Sequence, residues 1–340
     1  MTITTIGLDL AKNIFQVHGV SDEGDIVFNK PLRRARVLPF FAKLEPCLIG
    51  IEACSSAHYW GRELTALGHE VKLMPPSYVK PYVKRGKSDA ADAEAICEAV
   101  TRPTMRFVGI KSAEQQALLC QHRAREVMVG QRTQLSNTTR GLLGEFGVII
   151  PKGLEYIRRF AEDVQKDIHP DLPDIALEVI RSLCQQLLSL NLRIAEMGKA
   201  IADVAKADGR IKLLQTIPGI GPINASAIVA TIGSAHQFKS GRDLAAWIGL
   251  TPLNKSSGGK ERLGKISRMG DRYLRQLLVV GMSSRVRTAR SHPERVDPWT
   301  LSILERKPTR LATVAMANKT ARIIWAVLTK NEPYAPRTAA

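Results

Sequence analysis

The spacing of apolar residues changes once along this chain, from short runs to helical periodicity. Short apolar runs rich in β-branched residues predict strands, and they lie at 3–10, 14–20, 26–28, 47–51 and 70–75. The run at 47–51 is almost wholly apolar, as expected of a strand buried on both faces, and an amphipathic stretch at 57–67 follows it. The first part of the chain is therefore predicted to be an α/β domain that begins with a three-stranded antiparallel meander.

The middle of the chain has a helical pattern. Ser88 can cap a helix from about 89 to 101, and apolar residues then recur at helical spacing over 112–143 and 173–205. A connector at 144–172 contains Gly and Pro and joins the two long segments. An antiparallel helical hairpin or coiled-coil arm is predicted, a feature that serves as a spacer or a dimer contact more often than as a catalytic element.

The last third is predicted to be mainly α-helical. Helical runs at 211–217 and 225–232 flank Pro218-Gly219-Ile220-Gly221, a pattern typical of a helix-hairpin-helix. Gly219 and Gly221 would let backbone N–H groups approach a phosphate, while a plain helix–helix turn is the alternative. Further helices are predicted at 241–248, from Asp271 to Arg287 and at 311–328, with an exposed loop at 252–270. The predicted domains are 1–105, 106–205 and 206–330, followed by a tail at 331–340.

Positive charge is concentrated in that last domain. The chain has 49 Lys and Arg against 32 Asp and Glu, a net charge of +17. Residues 1–105 and 106–205 each carry +1, whereas residues 206–330 carry +15. A surplus this concentrated indicates a polyanionic partner, although a basic surface can also serve solubility alone. The candidate phosphate contacts form one run: Lys255, Lys260, Arg262, Lys265, Arg268, Arg272 and Arg275.

Targeting signals and cysteine chemistry give no indication of an extracellular or membrane protein. The sequence contains no continuous apolar stretch of about 18 residues, and its first residues place Asp9 where a signal peptide is apolar. The five cysteines are scattered and form no C-x-x-C pair. A soluble intracellular protein without membrane partners, disulfides or a zinc module is expected.

Four carboxylates occupy positions that call for an explanation. Asp9 lies inside an apolar strand and Glu52 ends the apolar run at 47–51, although burying an unpaired charge is costly. Asp89 and Asp92 share one face at the start of the predicted helix. If the two strands are neighbours and the helix packs across their ends, all four converge, and oxygen-only ligands favour Mg²⁺ or Mn²⁺.

Two such ions would support phosphodiester cleavage. Each acid also has a simpler interpretation: Asp9 capping a bulge, Glu52 pairing with Arg62 or Lys12, and Asp89 and Asp92 favouring a helix N-terminus.

The motifs together resemble those of the DEDD-type transposases of bacterial insertion sequences. The resemblance spans about residues 3–330 and is carried, in the family's order, by Ile6-Gly7-Leu8-Asp9-Leu10-Ala11-Lys12, Ile51-Glu52-Ala53, Lys87-Ser88-Asp89-Ala90-Ala91-Asp92-Ala93, Pro218-Gly219-Ile220-Gly221, Gly249-Leu250-Thr251-Pro252 and Ser256-Ser257-Gly258-Gly259-Lys260. It implies a RuvC-like domain with the RNase H fold, a coiled-coil insert and a C-terminal transposase domain.

The resemblance also implies specific chemistry. Asp9, Glu52, Asp89 and Asp92 would bind Mg²⁺ or Mn²⁺, and Ser257, or its neighbour Ser256, would be a serine nucleophile. The partners would be DNA, a structured guide RNA made from the element's own ends, and further copies of the chain in a dimer or tetramer, acting in the cytoplasm at the bacterial nucleoid. A structure-specific Holliday-junction nuclease and a non-catalytic nucleic-acid-binding protein are the alternative functions.

Overall fold

The computed structural model describes residues 2–84, 86, 88–256 and 262–336. Two of the predicted functional residues, Ser257 and Lys260, lie outside the described residues. The chain divides into two compact units, Met1–Gln116 and Ala117–Ala340.

The N-terminal unit is built on a five-stranded mixed sheet in the order β3-β2-β1-β4-β5. Its strands are β1 (Ile3–Asp9), β2 (Ile14–Ser21), β3 (Ile26–Arg33), β4 (Leu48–Glu52) and β5 (Glu70–Met74). The first three strands pair antiparallel, whereas β1, β4 and β5 run parallel to one another. The predicted antiparallel meander and the mixed α/β class are confirmed, and this arrangement agrees with an RNase H-like fold.

Helices cover both faces of this sheet. They are α1 (Val37–Phe41), α2 (Ala57–Ala66), α3 (Pro76–Val79) and α4 (Asp89–Val100), with 3₁₀ turns at Arg34–Arg36 and Lys80–Tyr82. One layer of the core joins Ile6, Leu8 and Phe15 of the sheet to Trp60 and Leu64 of α2. On the other face, α4 packs against β1, β2 and β4. Ala93 and Cys97 of α4 lie directly against Gly7 of β1.

The C-terminal unit contains most of a 32-residue helix, α5 (Ala113–Gly144), and a second helix of the same length, α7 (Asp174–Ala205). The connector between them, predicted only as a Gly- and Pro-containing link, contains α6 (Leu154–Val164). Its apolar face, with Ile157 and Val164, packs against residues of α5 and α7. The two long helical segments agree with the predicted ranges within one residue.

The remaining helices of this unit form its largest core. They are α8 (Gly209–Gln215), α9 (Pro222–Ile232), α10 (Gly241–Trp247), α11 (Arg272–Ser291), α12 (Pro298–Arg306) and α13 (Thr309–Lys330), with 3₁₀ turns at Ala235–Gln237 and Pro293–Arg295. The predicted loop at 252–270 is not wholly irregular, because β6 (Pro252–Asn254) and β7 (Leu263–Ile266) pair in it as an antiparallel hairpin. The C-terminal unit is otherwise mostly helical, as predicted.

A buried histidine ties α5 to this core. His122 is fully buried, and its two ring nitrogens are hydrogen-bonded to the Tyr273 hydroxyl of α11 at 3.1 Å and the Ser226 hydroxyl of α9 at 3.0 Å. Burial, and then the neighbouring Arg125 and Arg123, lower the pKa of His122 to about 4. The histidine is therefore neutral at pH 7.

One helix of the described chain, α13, is long and apolar enough by composition to cross a membrane. Arg310, Lys319 and Arg322 interrupt its apolar run, so the sequence contains no continuous apolar stretch there. Within the unit, 44% of the apolar window is buried, and Met316 and Ile324 belong to the main core. The helix has the contacts of a core helix.

Candidate functional site

Asp9 and Glu52 lie at the same end of the sheet because their strands are parallel neighbours. Leu8 of β1 is in register with Ile51 of β4, so the next residue on each strand is one of the two acids. Both side chains are partly buried. The sheet topology therefore brings together the two strand carboxylates, as the sequence predicts.

Helix α4 carries the other two acids, and a close packing contact places it. Ser88 caps the helix by accepting a hydrogen bond from the Ala91 backbone N–H at 3.2 Å. Asp89 and Asp92 then lie in its first turn. A Cβ atom on Gly7 would come within 2.0 Å of the Ala93 carbonyl oxygen, so only glycine permits this approach of helix and strand. The start of α4 is thereby held over β1.

The four carboxylates affect one another electrostatically. Burial, followed by the negative charges of Asp92, Asp89 and Glu52 in that order, raises the pKa of Asp9 to about 6, against a backbone hydrogen bond from Leu10 that lowers it. Burial also raises the pKa of Glu52, with Asp92 as the second cause. Asp9, Glu52 and Asp92 are partly buried and Asp89 is exposed, and the four acids together form a cluster of like charge.

The simpler interpretations of the two strand acids receive no support from local contacts. Arg62 donates a hydrogen bond to the Lys111 carbonyl at 2.8 Å, and neither it nor Lys12 pairs with Glu52. The irregular register of β1 lies between Ile3 and Thr5, away from Asp9. None of the four acids forms an ion pair with any basic side chain that the structure describes.

A divalent cation fits this cluster by donor chemistry and charge. All four groups offer oxygen, the atom that Mg²⁺ and Mn²⁺ prefer, and their repulsion is the kind that a cation relieves. Within the described part of the chain, however, no three Asp, Glu, His or Cys side chains are already close enough to hold a metal ion. The carboxylates would have to draw together around an ion.

The candidate serines belong to the hairpin of the C-terminal unit. Ser256 follows β6 and is exposed; its backbone N–H donates to Asn254 Oδ1 at 2.9 Å, and its hydroxyl oxygen accepts from the Arg262 N–H at 3.0 Å. Its hydroxyl is thus already engaged in closing the hairpin. Ser257 lies outside the described residues.

The base of this hairpin is locked to the helical core. Gly249 and Gly270 both have positive φ, and a Cβ atom on them would lie 2.0 Å from the Met269 oxygen and 1.7 Å from the Trp247 oxygen, respectively. Asn318 of α13 adds a hydrogen bond to the Leu250 carbonyl at 3.1 Å. The segments before β6 and after β7 therefore interlock.

The predicted phosphate contacts separate into two kinds. Those with exposed side chains and no described acidic partner are Lys255, Arg262, Lys265, Arg268 and Arg272. Arg275 is half-buried instead, and its Nη1 donates to the carbonyls of Ile248 at 2.7 Å and Met269 at 3.0 Å. Burial lowers its pKa. Arg275 therefore holds the hairpin base in this structure, and Lys260 lies outside the described residues.

The two glycines of the Pro-Gly-Ile-Gly motif also differ. Gly219 has φ of +87°, and a Cβ atom there would meet Met282 at 2.6 Å and the Gly281 oxygen of α11 at 3.1 Å. This glycine is required for packing. Gly221 caps α9 next to Pro222 and faces open space, so the backbone there is accessible.

Sequence reasoning did not identify Gly7 and Arg275 as the residues that position these sites. A signal existed for the glycine, because an isolated Gly within a strand often marks close backbone approach. Arg275 gave no comparable signal, since it is one of many basic residues in its segment.

Comparison with known proteins agrees with both halves of this description. The sequence profile of the transposase IS116/IS110/IS902 family matches residues 211–297, which include the hairpin. A profile of DEDD transposases of the IS110 type matches residues 6–147, which include the four acids.

Individual relatives match over nearly the whole chain. A probable family 20 transposase of Pseudomonas aeruginosa is 48% identical, covering 99% of this chain and all of that protein. The transposase for insertion sequence element IS1328 of Yersinia enterocolitica is 36% identical, covering 98% of each chain. The transposase for IS1111A of Coxiella burnetii is also 36% identical, covering 98% of this chain and 91% of its own.

Proposed function

Because the chain belongs to the IS116/IS110/IS902 family of insertion-sequence transposases, we propose that Asp9, Glu52, Asp89 and Asp92 are its metal-binding catalytic residues for DNA strand cleavage and rejoining. The observation that carries this proposal is the partly buried cluster of like charge, with no described basic partner and with a pKa of about 6 at Asp9. Such a cluster is costly to keep unless it binds cations.

The chain's own residues prepare this site. The parallel pairing of β1 and β4 sets the spacing of Asp9 and Glu52, and the contact at Gly7 holds the first turn of α4 beside them. A bound Mg²⁺ or Mn²⁺ would supply Lewis acidity at the scissile phosphate and lower the pKa of the attacking hydroxyl. The four carboxylates would hold and orient that ion.

A serine of the C-terminal hairpin is the proposed nucleophile. Attack by the Ser257 hydroxyl oxygen on phosphorus would form a serine–phosphate ester as one P–O bond of the strand breaks, with the serine proton passing to a base and the leaving oxygen taking one up. Because this ester replaces the broken P–O bond, the DNA strand can later be rejoined from it. The engaged hydroxyl of Ser256 supports the choice of Ser257 over its neighbour.

The exposed basic side chains of the hairpin and of α11 are proposed to contact nucleic-acid phosphates. Phosphate contacts position a strand without specifying its sequence. A guide RNA that pairs with donor and target DNA would supply that specificity, so RNA is a proposed partner alongside DNA.

The proposed assignment of roles follows the predicted ranges. Residues 1–105 carry the catalytic acids, 106–205 form a helical arm, and 206–330 bind nucleic acid. A homo-oligomer, dimer or tetramer, acting at the bacterial nucleoid in the cytoplasm, completes the proposal.

The metal centre is tested with Glu52→Gln and Asp92→Asn in a strand-exchange assay on element-end DNA with Mg²⁺. Each variant should lose exchange by at least about a hundredfold while keeping DNA affinity. A variant with unchanged exchange would remove that acid from the proposed centre.

The serine is tested by trapping a covalent protein–DNA adduct. Ser257→Ala should abolish the adduct, whereas Ser256→Ala should retain it. An adduct undiminished in Ser257→Ala would exclude that residue as nucleophile, and DNA hydrolysis without any adduct in the unaltered protein would favour a junction nuclease.

The RNA partner is tested by purifying the protein from cells that carry its whole element and sequencing the bound RNA. A discrete RNA that maps beside the gene is expected. Recovery of only random cellular RNA, from a preparation that performs strand exchange, would contradict a guide.

A further inference from the structure

The charges of the N-terminal unit are separated along its sheet, although their sum is close to zero. Because β2 runs against β1 and β3 runs against β2, the start of β2 and the end of β3 lie at the same end of the sheet as Asp9 and Glu52. That end carries Lys12, Arg33 and Arg36. The turn between β2 and β3, at the opposite end, carries the acids Asp22, Glu23 and Asp25.

Arg34 makes the basic end a fixed structure. Its backbone N–H donates to the Asn13 carbonyl at 2.8 Å, and its guanidinium lies over the Trp60 ring, 5.1 Å from the ring centre. A weaker hydrogen bond joins Arg34 Nη1 to the Lys12 carbonyl at 3.4 Å. The turn that carries Lys12 and the segment that carries Arg33 and Arg36 are thereby joined.

Strand register places Arg33 on the face of the sheet that carries Asp9. Asp9 pairs with Gln16, Ile14 lies two residues before Gln16, and Ile14 pairs with Arg33. Paired residues, and residues two apart, project from the same face. Two strand spacings, roughly 10 Å, separate the first strand from the third. Ile14 is 53% exposed, so this path across the sheet is open to solvent.

Lys12, Arg33 and Arg36 have exposed side chains, and none of them pairs with an acid that the structure describes. Arg34, by contrast, is occupied by its ring and carbonyl contacts. The carboxylate cluster repels the phosphates of a nucleic-acid substrate. Three cations without acidic partners at the same end of the sheet would offset that repulsion by attracting the phosphates. The strand of Arg33 lies roughly 10 Å from that of Asp9, a distance comparable with the screening length of about 8 Å at physiological salt, so salt weakens this attraction without removing it.

We propose that Lys12, Arg33 and Arg36 form a phosphate-binding surface for the nucleic-acid strand that enters the carboxylate site. The ligand is the sugar–phosphate backbone, and the surface is separate from the basic residues of the C-terminal unit. This inference rests on the proposed catalytic role of the acids. It places a nucleic-acid contact in the N-terminal unit, whose net charge near zero does not indicate one.

The test uses the full chain with Arg33→Gln and Arg36→Gln combined, and measures affinity for element-end DNA duplex from low to high salt. Each lost phosphate contact should reduce the slope of log affinity against log salt by about 1, so the double variant should lose about 1 to 2. The matched control combines Arg102→Gln with Arg106→Gln. It removes the same number of positive charges from the same unit. Arg106 lies beside β5, the opposite edge of the sheet, and Arg102 is paired with Glu98, so this control should keep the slope.

A second variant guards against a folding effect. Arg33→Lys combined with Arg36→Lys keeps the charge and should restore the slope. The same titration with a structured RNA from the element's ends identifies the strand that is bound. A slope change with DNA, with RNA or with both supports the surface and names its ligand.

An unchanged slope with both nucleic acids, or an equal change in the Arg102 and Arg106 control, would overturn the inference. Failure of the catalytic proposal looks different, because it shows as full strand exchange in Glu52→Gln. The two outcomes are measured on separate variants and are therefore distinguishable.

Discussion

Replacing Asp9 by Asn should stabilise the N-terminal unit in metal-free buffer while removing activity. Ionised Asp9 opposes folding, because burial and three neighbouring carboxylates raise its pKa from 3.8 to about 6. Between those two pH values the folded state binds more protons than the unfolded state, so stability falls as pH rises. The cost is complete above pH 6 and absent below 3.8.

The magnitude follows from the size of the shift. About two pH units correspond to about 3 kcal/mol at most, since one unit is about 1.4 kcal/mol. Asp9 is partly exposed, so solvent screening reduces this to about 1–2 kcal/mol. An Asn at this position carries no charge, so the variant should gain that amount at pH 7.5 and less as the pH is lowered towards 4.

Hydrogen exchange of the β1 and β4 amides measures this stability within the full chain. In EDTA at pH 7.5, Asp9→Asn should slow their exchange about 5- to 30-fold, because 1.4 kcal/mol is a factor of ten. Asp22→Asn, on the exposed β2–β3 turn, is the control and should change exchange little. Added Mg²⁺ should slow exchange in the unaltered protein and not in Asp9→Asn. Faster exchange in Asp9→Asn at pH 7.5 in EDTA would refute the reasoning.

Three further predictions concern packing, pH and the hairpin base. Gly7→Ala places a Cβ atom 2.0 Å from the Ala93 oxygen, so it should lower the free energy of unfolding by about 3 kcal/mol in urea titrations and abolish strand exchange. Strand exchange at the rate of the unaltered protein would contradict this prediction. Because the folded pKa of His122 is about 4, the C-terminal unit should lose about 2–3 kcal/mol as pH falls from 6.5 to 4. In urea titrations His122→Gln should not show this loss of stability at low pH. If its stability fell with pH as steeply as that of the unaltered protein, His122 would not be the cause. Arg275→Gln should lower the free energy of unfolding by about 1–2 kcal/mol, because its contacts with two carbonyls are lost. Arg268→Gln should leave that free energy unchanged and reduce the salt slope of DNA binding by about 1. Destabilisation by Arg268→Gln, with a reduced salt slope only in Arg275→Gln, would contradict both assignments.

The elements of the fold were predictable where the apolar period was long or unambiguous. The strands at 3–10 and 47–51, and helices α5 and α7, appear near the predicted residues. The proximity of Asp9 and Glu52 was predictable too, because parallel strands end at a common edge. Helix α6 was not predicted because Pro151 and Gly153 before it and Pro170 after it suggested an irregular connector, although its apolar residues recur at helical spacing.

Tertiary contacts account for what the sequence could not show. Arg275 resembles its basic neighbours in sequence, and only folding brings it against the carbonyls of Ile248 and Met269. The surface formed by Lys12, Arg33 and Arg36 was hidden by summing charge over the domain. Strand pairing separates those cations from the acids of the β2–β3 turn, and a net charge cannot record that separation.

The most direct test of the central claim is the rate of Mg²⁺-dependent strand exchange by Asp9→Asn on element-end DNA, measured beside Asp22→Asn. If the carboxylate cluster is the catalytic centre, Asp9→Asn loses exchange by at least about a hundredfold while binding DNA as tightly as the unaltered chain, and Asp22→Asn retains full exchange. Exchange by Asp9→Asn at the rate of the unaltered protein would contradict the claim.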